Sequence, residues 1–83
     1  MKPRKLALGD KNRIGARVTQ ARKAKGMKQV ELLAKLQLAG IDISVPALSL
    51  LEGQKRPVSD IELDALATIL DVSVDWLLGR DSV

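Results

Sequence analysis

Cysteine, histidine, tyrosine and phenylalanine are all missing from this 83-residue sequence, and Trp76 is its only aromatic residue. The missing cysteines exclude disulfides, thiol nucleophiles and every cysteine metal site, and they fit a reducing compartment. Without histidine there is no imidazole base and no zinc site built on imidazole. A single aromatic ring provides no platform on which successive bases stack. Long apolar runs are absent too: none approaches the ~18 residues of a membrane span, and the stretch 37–51 is broken by Asp42 and Pro46. The start, Met1-Lys2-Pro3-Arg4-Lys5-Leu6-Ala7-Leu8-Gly9, is basic but lacks the apolar stretch of a signal peptide. The expectation is a soluble cytoplasmic protein, not an enzyme, with no metal, no cofactor and no membrane partner.

What is present suits one small folded domain. Apolar residues make up 46% and charged residues 29%, a balance of globular rather than disordered chains. A chain of this size buries only somewhat more than ~60% of its unfolded surface, so its stability margin is modest. Charge is unevenly placed. Residues 1–41 hold eleven of the fourteen Lys and Arg against only Asp10 and Glu31, a net +9, whereas residues 42–83 hold three bases and eight acids, a net −5. Such asymmetry points to a polyanion at one face, the alternative being an ordinary solvated surface.

Periodicity and punctuation predict five helices and no strand. Residues 1–9 read as a basic arm carrying Lys2, Arg4 and Lys5, and residues 10–83 as the domain. A first helix is expected over 10–25, capped by Asp10, with Ile14, Val18 and Ala21 on one face and Gly26 ending it. The second is expected over 28–37, with an apolar stripe of Val30, Leu33 and Leu36 and Leu32 alongside. A third, over 44–52, starts at the cap Ser44 with Pro46 in its first turn, where a missing N–H costs nothing. Ser59 and Glu62 form a capping-box signature for a fourth helix over 60–70, whose core stripe is Leu63, Leu66, Ala67 and Leu70. A fifth, 73–79, carries Val74, Trp76, Leu77 and Leu78.

Catalysis finds no purchase in these residues. Asp60/Asp64 and Asp71/Asp75 stand at i, i+4, but they read as charge at helix starts and solvated surface, and the alternating oxygens of a calcium loop are missing. Ser44, Ser49, Ser59 and Ser73 have no base to activate them. Nucleic-acid binding fits better. Two short helices joined by a non-helical connection are flanked by Lys11, Arg13, Arg17, Lys28, Lys55 and Arg56, and a capped helix N-terminus suits phosphate or a groove edge.

Three stretches carry a family resemblance. Ala21-Arg22-Lys23-Ala24-Lys25-Gly26-Met27-Lys28-Gln29-Val30-Glu31-Leu32 is the first, residues 44–52 followed by Lys55-Arg56-Pro57 the second, and the third runs from Leu66 through Leu70-Asp71-Val72-Ser73-Val74-Asp75-Trp76-Leu77-Leu78-Gly79. In this order and spacing residues 14–79, about four-fifths of the chain, resemble the lambda-repressor-like helix-turn-helix family, also called the xenobiotic-response-element family of bacterial and phage regulators. The resemblance implies an all-α, five-helix DNA-binding domain whose helices two and three form the helix-turn-helix, the third docking in the major groove. It implies phosphate contacts from Lys28, Gln29, Lys55, Arg56, Arg17 and the arm residues Lys2, Arg4 and Lys5, with Gln29 also bracing the recognition helix. Arg22 and Glu52 match a buried structural ion pair, and Trp76, Leu77, Leu78 and Val83 lie where many relatives dimerise. The partners implied are double-stranded DNA and a second copy of the chain.

Departures from the family pattern sharpen the expectation. Leu33 stands where a small alanine is usual, residues 37–43 replace a tight glycine turn, and Gly53 precedes Gln54 where the family places its glycine at the latter position. The slots that usually read base edges hold Val45, Pro46, Ser49 and Leu50. Of these only Ser49 can hydrogen-bond a base, while Val45 and Pro46 suit thymine methyls. The sequence therefore supports a DNA-binding transcriptional regulator, a repressor acting as a dimer. The alternative is a protein-binding adaptor or antitoxin-like partner that uses the apolar face of the third helix.

Overall fold

Serines that cap and left-handed residues that turn divide the chain into five helices. The computed structural model describes residues 11–80, in which α1 (Gly15–Ala24), α2 (Gln29–Leu38), α3 (Val45–Glu52), α4 (Asp60–Leu70) and α5 (Val74–Leu77) follow one another and no strand occurs. The arm over 1–9, the Asp10 cap and Val83 lie outside the described residues. Among the described residues no helix is long and apolar enough to cross a membrane.

Local chemistry sets most helix starts. The hydroxyls of Ser44, Ser59 and Ser73 accept from the amides of Ala47 (3.3 Å), Glu62 (3.1 Å) and Trp76 (2.9 Å). Each thereby satisfies an amide the helix itself leaves free. Glu62 Oε1 accepts in return from the Ser59 amide at 2.9 Å, completing the capping box. Glu31 Oε1 takes the Lys28 amide at 2.7 Å and opens α2.

The first helix starts later than the expected residue 10, at Gly15, because Asn12 intervenes. Its Oδ1 accepts from the amides of Ile14 (3.0 Å) and Gly15 (2.8 Å). Its Nδ2 donates to the carbonyls of Leu51 (3.1 Å) and Arg56 (2.8 Å), so one side chain starts α1 and ties it to the end of α3. Asn12→Ala is expected to cost about 2 kcal/mol, since two buried carbonyls and two helix amides lose their partner together; urea denaturation checks this.

All five helices close in the same way. Gly26, Gly40, Gln54, Asp71 and Gly79 hold positive φ. After each, an amide reaches back to a carbonyl five residues earlier, as Met27 does to Arg22 (3.0 Å) and Lys55 to Leu50 (2.8 Å). Gln54, at φ 62°, takes the left-handed position although Gly53 beside it does not. Its side chain explains the choice: Gln54 is buried and its Nε2 donates to the Asn12 carbonyl at 3.2 Å.

The core is aliphatic. Val18, Leu32, Leu36, Leu48, Leu51, Leu66, Leu70 and Leu77 are its fully buried side chains. Against the expected stripe on the second helix, Val30 is 59% exposed and Leu32 takes the core position. The reason is the roll of α2: Gln29 faces α3, so Leu32, Leu33 and Leu36 follow it at i+3, i+4 and i+7, and Val30 turns outward. The bulkier Leu33 is half-buried against the core. The long connection from α2 to α3 is not a loose loop, because Ile41 and Ile43 are buried within it. α3 packs on both α1 and α2, α4 on α1 and α2, and α5 closes over α1 and α4.

One contact is unusually close. A Cβ on Gly15 would stand 2.8 Å from the Glu52 carbonyl oxygen and nearer still to that of Leu51. Only glycine lets the start of α1 approach the end of α3 this tightly.

Candidate nucleic-acid interface

The third helix has two chemically different faces. Leu48, Leu51 and Glu52 are buried, while Val45, Pro46, Ser49 and Leu50 face solvent, Val45 and Leu50 at 44% and 46% exposure. This division follows from the periodicity: 48, 51 and 52 share a stripe, and 45, 46, 49 and 50 fall on the opposite side. The only charge on α3 is therefore turned inward.

Glu52 is the hub of a polar network. Arg22 Nε donates to Glu52 Oε2 at 2.8 Å and Arg22 Nη2 to Oε1 at 3.1 Å, a two-pronged ion pair with both side chains about nine-tenths buried. Arg22 Nη1 also donates to the Met27 carbonyl at 3.0 Å, across the turn between α1 and α2. Gln29 Nε2 donates to Glu52 Oε1 at 3.2 Å, and the Ser49 hydroxyl leans on Gln29 Oε1 at a longer 3.4 Å. Arg22, Gln29, Ser49 and Glu52, from three helices, are thus brought together. The network sets the angle of α3 against α2 and α1, which apolar packing alone would leave freer to slide.

The cations divide into two groups. Lys28, at the mouth of α2 beside Gln29, and Lys55, three residues past α3, are exposed, as are Lys11 and Arg13. Two residues expected at phosphates, Arg17 and Arg56, are half-buried and engaged with other residues of the chain. Arg17 lies over the Trp76 ring, 4.8 Å from its centre, and its Nη1 donates to the Trp76 carbonyl at 3.1 Å. Stacking on the one aromatic ring of the chain and on a backbone oxygen of α5 draws it to that helix. Arg56 pairs with Glu62 at 3.4 Å, and its Nη1 is buried without a partner among the described residues, so the guanidinium points inward over the start of α4. Lys2, Arg4 and Lys5 lie outside the described residues.

Of the residues expected at a dimer contact, Trp76, Leu77 and Leu78 lie on α5 and at its end, and Val83 is outside the described residues. Leu77 is fully buried, Leu78 is half-buried and Trp76 sits beneath Arg17. Among the described residues the large exposed apolar side chains are Val30, Leu38, Val45, Leu50 and Ile61.

Sequence reasoning passed over Asn12, Gly15 and Gln54, which together hold the entry of α1 against the end of α3. Asn12 carried a signal, since asparagine is as good a helix-start residue as aspartate, whereas Gly15 and Gln54 carried none until their distant partners are known. Among the described residues, the pairs Asp60/Asp64 and Asp71/Asp75 gather no third ligand for a metal ion. Compared with known proteins, the chain matches no family model, no curated protein and no solved structure.

Proposed function

We propose that this protein is a transcriptional regulator of the lambda-repressor-like helix-turn-helix kind, a repressor that occupies operator DNA as a homodimer. In this reading α2 and α3 are the helix-turn-helix and α3 lies in the major groove. The observation that carries it is the outward face of α3. That face is exposed and free of acid, is held at a set angle by Glu52 and Gln29, and is bordered by the exposed Lys28 and Lys55. A duplex needs such a combination: a rigid ridge to enter the groove and cations beside it for the flanking phosphates. The net +9 of residues 1–41 adds long-range attraction, and Lys2, Arg4 and Lys5 of the arm contribute further phosphate contacts.

The exposure of Val45 and Leu50 on that face favours a second reading, in which the same fold is an adaptor holding a partner protein through α3. Salt separates the two. With Lys28, Lys55 and the three arm cations of each protomer at phosphates, affinity of the dimer for a duplex is expected to fall with salt on a log–log slope of about −9. Binding that hardly changes with salt supports the adaptor. A dimeric regulator is also expected to enrich a two-fold symmetric site from a random duplex pool, with half-sites about one helical turn apart.

A further inference from the structure

We infer that α3 reads the C5-methyl group of pyrimidines in the major groove and accepts thymine and 5-methylcytosine alike, so that methylating a cytosine in the operator strengthens binding. This rests on the DNA-binding role proposed above and names the chemical feature its face would recognise.

The inference starts from donors. Guanine and adenine present acceptors at N7 in the major groove, guanine adds O6, and reading them takes hydrogen-bond donors. The outward face of α3 has almost none. Val45, Pro46 and Leu50 have no polar side-chain atom, and Ser49, with a single short hydroxyl leaning on Gln29, cannot form a two-pronged pair with a base. Backbone donors are scarce too. Pro46 has no N–H and the Ala47 amide is held by the Ser44 hydroxyl, so only the Val45 amide remains among the first three of the helix.

What such a face does recognise is apolar surface. Val45 and Leu50 remain nearly half exposed in the free protein. Their burial against a methyl group is favourable, and their burial against a bare C5–H or a purine N7 gains less. Charge complementarity selects DNA as the source of those methyls: Lys28 and Lys55 flank the face and Glu52 is turned away from it. Thymine and 5-methylcytosine carry the same methyl at C5 and differ at position 4, a carbonyl in one and an amino group in the other. Telling them apart takes a side chain that only donates or only accepts, and the one polar side chain on this face, the Ser49 hydroxyl, does either.

The test uses a duplex enriched by selection from a random pool and the full chain at one fixed salt concentration. At each selected T·A pair, thymine is replaced in turn by uracil, by cytosine (paired with guanine) and by 5-methylcytosine (paired with guanine). The expected result is that uracil and cytosine each weaken binding about fourfold for every contacted methyl lost, and that 5-methylcytosine restores it. The V45A/L50A double variant, altered only at exposed positions, is expected to lose this dependence while keeping its thermal stability and salt slope. Equal affinity for thymine and uracil duplexes overturns the inference. So does 5-methylcytosine binding no better than cytosine, a methyl effect that survives in V45A/L50A, or salt-dependent binding without any sequence enrichment. Absence of salt-dependent duplex binding overturns the DNA-binding reading itself, and this inference with it.

Discussion

Glu52→Ala is expected to be the most damaging single substitution in this chain, lowering stability by about 3–5 kcal/mol, because it strands the buried charge of Arg22. Glu52 accepts from Arg22 Nε, Arg22 Nη2 and Gln29 Nε2, and among the described residues no other carboxylate is paired with Arg22. The whole margin of a domain this size is roughly 4–12 kcal/mol, so the variant is expected to lose a large fraction of its stability. The same physics says the intact pair contributes little net stability, since withdrawing two charges from water offsets most of their attraction. The double variant R22M/E52L is therefore expected to regain most of the loss. A double-mutant cycle by urea denaturation measures the coupling, and additive losses would show that the pair is not coupled. What the pair adds is register: it fixes α3 to α1 and, through Gln29, to α2.

Gly15→Ala is expected to lower stability by about 3 kcal/mol, although alanine is the better helix former by about 1 kcal/mol. The new methyl would press on the carbonyl oxygens of Leu51 and Glu52, which are backbone atoms of a packed helix and give way only if α3 moves. A drop of this size corresponds to a melting temperature lower by more than about 10 °C in a domain this small. Gly26→Ala is the matching control. A Cβ there meets nothing, so its cost comes only from the left-handed φ of +67° and is expected to be about 1 kcal/mol. A loss at Gly15 no larger than that at Gly26 would show that the close approach of α1 to α3 relaxes at little cost. The displacement of α3 in Gly15→Ala also moves the face that carries Val45 and Leu50. Duplex affinity is therefore expected to fall in this variant even at temperatures where it stays folded, and to be unchanged in Gly26→Ala.

The departures from expectation share a geometry. α3 and α4 begin where their serines predict, because a cap is satisfied by an amide three residues away. The late start of α1 depends on Asn12 reaching Arg56 across 44 residues. Arg17 and Arg56 look alike on paper to Lys28 and Lys55, all being basic residues near the two short helices. What separates them is a partner: Trp76 lies 59 residues from Arg17, and Glu62, six residues from Arg56, turns Oε2 to it while its Oε1 closes the capping box of α4. Arg22 and Glu52 were paired in the sequence by family resemblance alone, as nothing in the spacing of 30 residues relates one to the other.

By itself, then, the sequence determined an all-helical class: five helices among the described residues, the serine caps at 44, 59 and 73, an aliphatic core, a basic first half, and a third helix whose outward positions hold Val45, Pro46, Ser49 and Leu50. These are short-range properties, set by periodicity and by bonds spanning three to five residues. Tertiary structure decided the rest. It rolled α2 so that Val30 faces solvent and Leu32 the core, put Gln54 rather than Gly53 in the left-handed position, and drew Arg17 and Arg56 inward while Lys28 and Lys55 stayed exposed. Each of those outcomes is a competition among partners, and the winner depends on which distant backbone or side chain the packed core brings within hydrogen-bonding reach.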